Sequence, residues 1–387
     1  MWVEWASRER RGSGAEGDVI RVHQSEERFC AVMASHLPGT AAGKADQVAD
    51  GVERLLERGL RPESVLDQMV DAHADGQRMP FSIVDVRADD GSDALNVRLA
   101  QCDAPPVLVT RWDPGAERHA LFLPPVIEDS YRGCLVRRCQ FGLQDRDHLA
   151  VIGEGYFRGR GWTERWVWKD IATYTRRWTA TGCSAEQLVD ALMSTYDRRR
   201  VAAAIGEAST WEMRPVSALA AYVRPARSVT VWTGPPADGR LDEVALSRLM
   251  CESGTRVICG DTTAKIAAQL LEEKLELGSR PPGGWREVPP VLRLKGVDLV
   301  TEGLVTMGRA LDLLSGGRRE SDLPRVDDGA TRLARALLGA DSVHFVVGMG
   351  VNPQQVDASG LPLRRGLVEG MVDELRNRGT VVAVDCL

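Results

Sequence analysis

The apolar positions of this chain follow two different rhythms. The first part opens on three strand-like runs, WVEWASRERR, DVIRVHQS and RFCAVMAS, separated by glycine-rich or charged turns. Two helices follow: Val48, Val52, Leu55 and Leu56 recur at helical spacing in ADQVADGVERLLERG, and RPESVLDQMVDAHAD carries Pro62 at its start. Strands return in PFSIVDVRAD, DALNVRLAQCD, PPVLVTRW, HALFLPP, GCLVRRCQF and HLAVIGEG. A second helical pair comes next, TERWVWKDIATYTRRW and SAEQLVDALMSTYDRRR, the latter opened by Ser184 and Gln187 at capping-box spacing. The strand VSALAAYVR closes the segment. This order predicts an α+β unit over residues 1–226, an antiparallel β-sandwich flanked by helices.

From residue 227 short apolar strands alternate with helices. SVTVWTGPP precedes DEVALSRLMCESG, TRVICGDTT precedes AKIAAQLLEEKL, and GVDLVTEG precedes LVTMGRALDLLSGG; GATRLARALLGA, SVHFVVGMG, RGLVEGMVDELRNRG and TVVAVDC complete the series. All-apolar strands between helices predict an α/β domain over residues 227–387, a parallel sheet covered on both faces in a Rossmann-like or flavodoxin-like arrangement. GSRPPGGWREVPP and SGGRRESDLPRVDDG are its loops.

Composition narrows the function classes. The 387 residues exceed the usual size of one core, in keeping with two domains. A net charge of -6 argues against nucleic acid as a partner, and basic runs such as Arg8, Arg10 and Arg11 read as solvated edges. No run approaches the roughly 20 apolar residues of a membrane span, and MWVEWASRERRG lacks the apolar middle of a signal peptide, so a cytoplasmic protein without membrane partners is expected. The eight cysteines contain no CxxC pair and read as buried, reduced thiols.

Three short pieces carry candidate chemistry: GAEGDV with Asp18, VMASHLPG with Ser35 and His36, and HLAVIGEG with Glu154. The glycines of GEGYFRGRG match no phosphate loop. In chain order, however, GDV in the first hairpin, VRLAQCDAPPVLVTRWDPG with its Pro-Pro turn, and GLQDRDHLAVIGEG resemble a SpoIIE-type protein phosphatase, a branch of the metal-dependent type 2C (PPM) serine/threonine phosphatases. The resemblance covers residues 1–226 and implies a β-sandwich with two Mn²⁺ or Mg²⁺ ions held by aspartates at one end. Such ions take oxygen ligands and activate a water for in-line attack on phosphoserine.

Carried over position by position, the resemblance puts the first metal aspartate on Asp18 and the second on Ser35 and His36. The third falls on Gly153, Glu154 and Gly155, the last near Arg214 and Pro215. Asp18 and Glu154 are thus the candidate metal ligands, with Glu16, Glu207 and Glu212 close enough in sequence to substitute. Opposite charges about 4 Å apart interact by several kcal/mol even at an effective dielectric of about 20, so losing two carboxylates undercuts a centre of about four positive charges. Arg214 is a candidate phosphate ligand, since a guanidinium binds phosphate bidentately.

In the second domain the strand ends gather Gly260, Asp261, Thr262, Thr263, Glu302 and Asn352 as a candidate ligand cleft. GDTTAKI opens a helix, and its residues suit either an anion site or plain capping. WTGPPADGRLDE, VICGDTTAKIA and GVDLVTEGL resemble the C-terminal extension of some SpoIIE-type phosphatases of anaerobic bacteria. Three readings stand. One is a regulatory pseudophosphatase, weak or inactive, that binds a phosphorylated protein partner. Another is an active Mn²⁺- or Mg²⁺-dependent serine/threonine phosphatase, and the third is a small-ligand sensor working through the second domain.

Overall fold

The computed structural model describes residues 1–10, 17–25, 27–37, 39–72, 78, 80–88, 94–157, 164–204, 215–251, 253–278, 288–316, 322–352, 355–356 and 360–387. The chain divides into two compact units, Met1–Pro225 and Ala226–Leu387.

The first unit contains two antiparallel sheets. One has the order β1 (Trp2–Arg10), β11 (Val216–Arg224), β10 (His148–Ile152), β6 (Leu108–Asp113), β7 (Arg118–Phe122). The other runs β2 (Val19–Gln24), β3 (Arg28–Ala34), β4 (Phe81–Ala88), β5 (Leu95–Cys102), β9 (Cys134–Leu143), β8 (Ile127–Tyr131). Helices α1 (Lys44–Glu57) and α2 (Pro62–Ala72) cover the six-stranded sheet, while α3 (Glu164–Thr179) and α4 (Ala185–Ala204) cover the five-stranded one.

Each sheet is therefore buried on both faces, and its central strands are apolar without strict alternation. Along β3, Phe29, Ala31 and Met33 enter the core between the sheets, whereas Cys30, Val32 and Ala34 enter the core beneath α1 and α2. Along β11, Leu219, Ala221 and Val223 face the other sheet while Val216, Ala218 and Ala220 meet the helices. Burying each large side chain contributes about 1.5–3 kcal/mol. The expected strands are present, with one addition. β8, IEDSY, carries no apolar pattern because it is an exposed edge paired only to β9, with four of its five residues exposed. The strand expected to reach Glu154 stops at Ile152, and Glu154–Phe157 form a 3-10 turn.

In the second unit five strands are parallel: β16 (Val297–Thr301), β13 (Thr255–Cys259), β12 (Ser228–Thr233), β17 (Ser342–Val347) and β18 (Val381–Cys386), in that spatial order. The sheet is mixed rather than wholly parallel, because β14 (Glu276–Leu277) and β15 (Leu292–Leu294) extend the β16 edge as antiparallel strands. Helices α5 (Asp242–Cys251) and α6 (Asp261–Leu270) pack on one face around Trp232 and Ile258. On the other face, α7 (Leu304–Leu314), α8 (Gly329–Leu338) and α9 (Leu363–Arg376) pack around Val231 and Phe345. Counting the parallel strands in chain order gives three, two, one, four, five. That is the Rossmann-type order, with its topological switch between β12 and β17, and not the flavodoxin-type one. Among the described residues no helix is long and apolar enough to cross a membrane.

Candidate functional site

Asp18 stands immediately before β2, opposite the end of β3, and is 5% exposed. Both of its carboxylate oxygens accept hydrogen bonds from the protein. The His36 backbone N–H donates to Oδ1 at 2.9 Å, and the Ser217 hydroxyl, from β11 in the other sheet, donates to Oδ2 at 2.5 Å. Ser217 is itself fully buried. Burial pushes the Asp18 carboxyl up to about 6; the Ser217 and His36 bonds pull the other way, and Glu9 and Glu154 reinforce the rise. Gly153 makes the approach possible, because a Cβ there would lie 2.4 Å from Asp18 Oδ2 and 2.5 Å from Ser217 Oγ.

The two positions on which the resemblance puts a second acidic ligand both have a structural task. His36 supplies its amide to Asp18, and Ser35 Oγ accepts from the Glu154 N–H at 3.1 Å. The Gly153 N–H donates to the Ser217 carbonyl at 2.9 Å. Residues 18, 35–36, 153–154 and 217 thus form one knot of hydrogen bonds at the end of the sandwich.

Glu154 opens the 3-10 turn and is 4% exposed, with its Oε1 3.7 Å from Nη1 of Arg78. It lines a cleft of about 380 Å³ together with Asp103, Pro105, Arg137, Trp168 and Lys169. Asp18 lines a different recess of about 260 Å³, beside Glu9, Arg10, His36 and Asp46. The two candidate metal ligands, Asp18 and Glu154, line different cavities, while the Glu154 charge still helps raise the Asp18 pKa. Arg214, Glu16, Glu207 and Glu212 lie outside the described residues.

Several participants were not singled out by the sequence. Arg78, Arg137 and Lys169 bring three cations to the Glu154 cleft. Arg137 already donates to Glu128 at 2.6 Å and to the Ala104 carbonyl at 2.7 Å, so it also holds the Pro-Pro turn in place. Buried Gln101 helps by donating to the Pro105 carbonyl at 2.7 Å and to Ser82 at 2.8 Å. Arg111, from the same hairpin, is a structural cation: it clasps fully buried Asp147 at 2.7 Å and lies 4.0 Å over the Phe122 ring.

All eight cysteines are free thiols, and two, Cys251 and Cys386, are exposed rather than buried. Pairing of β5 with β9 brings Cys102 and Cys134 together with Asp103. Their ligand atoms lie within 4.8 Å of one another, the one such trio of potential metal ligands among the described residues. Asp103 has φ of 47° and is pinned across β9 by bonds to and from the Leu135 backbone at 2.8 and 2.9 Å. Burial pushes both thiols up. Two sulfurs and one carboxylate suit a soft cation, whereas Mn²⁺ and Mg²⁺ call for oxygens.

In the second unit the structure brings all six sequence-selected residues, Gly260, Asp261, Thr262, Thr263, Glu302 and Asn352, to one cavity of about 640 Å³ at the carboxyl ends of the parallel strands.

No protein-family model matches the chain, and no curated protein does. Solved structures similar to it are phosphatase domains of the PP2C and SpoIIE types. The phosphatase domain of SpoIIE from Bacillus subtilis matches at 13% identity, covering 58% of this chain and 92% of that one, with a TM-score of 0.39. The RsbU and RsbW domains of a Mycobacterium tuberculosis protein match at 14% identity over 64% of this chain and 67% of theirs, with a TM-score of 0.42. Serine/threonine phosphatase Stp1 from Staphylococcus aureus matches at 11% identity over 58% of this chain and 96% of its own, with a TM-score of 0.36. These are similarities of fold.

Proposed function

We propose that the first unit is a phosphatase-like regulatory module of the SpoIIE/PPM type, catalytically weak or inactive, which binds a phosphorylated protein partner. The observation that carries this reading is the engagement of Asp18, whose two oxygens accept from Ser217 and His36 inside a buried knot. A pair of hard divalent cations needs about six oxygen ligands each, with carboxylates converging on them. In support of this reading, no trio of metal-ligating atoms gathers at Asp18 among the described residues. Ser35, on which the resemblance puts a second carboxylate, accepts from the Glu154 amide, and Glu154 lines another cavity.

What the Glu154 cleft offers is cationic recognition. Arg78, half exposed, and Lys169 stand at its wall beside Arg137, and guanidinium groups take phosphate through paired hydrogen bonds. Asp103 and Glu154 hold Arg78 at 3.7 Å each and orient it without saturating it. Isothermal titration of the full chain with a phosphoserine peptide and its unphosphorylated twin tests this. Binding should require the phosphate and should weaken in Arg78→Ala and Arg214→Ala. Equal affinity for the two peptides would remove the partner assignment. Manganese-dependent turnover of an aryl phosphate that disappears in Asp18→Ala would instead establish the active enzyme.

A further inference from the structure

The cavity of about 640 Å³ in the second unit has the size of a small-molecule site and lies over the ends of β12, β13, β16 and β17, where the topological switch opens a crevice. Three independent features on its wall favour an anion. The first is the start of α6. Its N-cap is Gly260, with φ of 129°, so no side chain accepts from the first-turn N–H groups. Gly303 approaches to the same place, where an added Cβ would lie 3.5 Å from the Gly260 Cα, and the two glycines keep the helix end uncovered.

The second feature is Thr263, a 1% exposed residue in that first turn whose hydroxyl has no hydrogen-bond partner. Its Oγ1 is turned toward the N-cap, 3.1 Å from where a Gly260 Cβ would be. A buried hydroxyl without a partner costs about 1–3 kcal/mol, which a ligand oxygen at the helix start would recover. The third is Arg364, 8% exposed, whose Nη1 donates to the Gly348 and Gly350 carbonyls at 2.9 and 3.1 Å. No carboxylate pairs with it among the described residues, and burial lowers its pKa. Its seat depends on Gly234, where a Cβ would meet Nη1 at 2.3 Å.

Two acids complete the wall. Glu302 receives the Thr306 N–H of α7 at 3.4 Å, and Asp261 is exposed at the mouth. They disfavour a bare multivalent anion and offer acceptors to hydroxyl groups. We propose that this cleft binds a small phosphorylated polyhydroxy compound, its phosphoryl group on the α6 start, Thr263 and Arg364, and its hydroxyls on Asp261 and Glu302. The site is independent of the sandwich and stands or falls apart from the phosphatase-like reading.

Isothermal titration of the full chain separates the ligand sources: ribose 5-phosphate for a sugar phosphate, adenosine monophosphate for a nucleotide, with ribose and inorganic phosphate as the two halves of the chemistry. At least one ester should bind more tightly than either half. Thr263→Val, which replaces the hydroxyl with a methyl group of similar size, should weaken that ester roughly tenfold, and Arg364→Gln should abolish binding. If Arg364→Gln does not fold, Thr263→Val decides alone. The assignment is overturned if neither ester binds at millimolar concentration, if ribose binds as well as its phosphate, or if Thr263→Val matches the wild type.

Discussion

The Ser217 hydroxyl, on the five-stranded sheet, donates to Asp18 at the mouth of the six-stranded sheet across 2.5 Å, and neither group reaches solvent to any extent. The bond joins the two layers at their common end, so its loss falls on stability. Ser217→Ala leaves a buried carboxylate oxygen without its donor and should cost about 1–3 kcal/mol at pH 7.5. Urea unfolding measures it, and a change within about 0.5 kcal/mol, the range of an ordinary surface substitution, would show that the bond is not made.

Asp18 also sets a pH dependence. Its folded pKa of about 6 lies above the unfolded value of 3.8, so the folded state holds the extra proton between those limits. Stability from this group is greatest below pH 3.8 and declines as pH rises to about 6, by roughly 3 kcal/mol in all. Asp18→Asn keeps the shape and removes the charge. It should be more stable than the wild type at pH 7.5, by up to that amount, and the advantage should vanish near pH 4. Thermal melts of both proteins at the two pH values decide it.

His148 acts in the opposite sense. Burial against Tyr222 lowers its pKa to about 4 from 6.5, although its hydrogen bond with the Cys183 carbonyl pulls the other way. A depressed folded pKa gives stability that is complete above pH 6.5 and is lost as pH falls toward 4, again roughly 3 kcal/mol. In the wild type this loss and the Asp18 gain largely offset each other between pH 6 and 4. His148→Gln should unmask the gain, so that the variant stabilises on acidification relative to the wild type. Urea midpoints across that range would show a parallel pair of curves if His148 did not titrate there.

Much of this was legible in the chain and some was not, for reasons that specific residues make plain. The helix–strand alternation after residue 227 announced the second unit because parallel strands must be covered on both faces. The rule that ligand groups gather at strand ends picks out Gly260 to Thr263, Glu302 and Asn352, which share one cavity. Set against the resemblance, Asp18 reads as a kept acid and Ser35 as a missing one. The tie of Asp18 to Ser217 is hidden, since it joins residues 199 apart across two sheets, and the one serine inside VSALAAYVR is its only trace in the sequence. Cys102 and Cys134 looked scattered because strand pairing, not spacing, brings them together. β8 escaped because an exposed edge strand needs no apolar face.

Gly153 carries a steric prediction. A methyl group there would sit 2.4 Å from Asp18 Oδ2, inside contact distance of a group already held on two sides. Gly153→Ala should cost about 3 kcal/mol. Gly308→Ala is the matched control, because that position in α7 opens on empty space and alanine favours helix by up to about 1 kcal/mol. Melting temperatures should move in opposite directions; a neutral Gly153→Ala would mean that the knot has room to open.

That same room bears on metal binding. A cation pair seated at Asp18 would stabilise the folded state by mass action, about 2.7 kcal/mol at a hundredfold excess over its dissociation constant. Each Asp18 oxygen keeps a lone pair beside its bond from Ser217 or the His36 amide, but among the described residues no trio of metal-ligating atoms gathers there to complete a metal's shell. The melting temperature should therefore be unchanged by millimolar Mn²⁺ or Mg²⁺, in the wild type and in Asp18→Ala alike. A rise of several degrees that Asp18→Ala abolishes would show that the knot opens to a metal, and the pseudophosphatase reading would give way to the active enzyme.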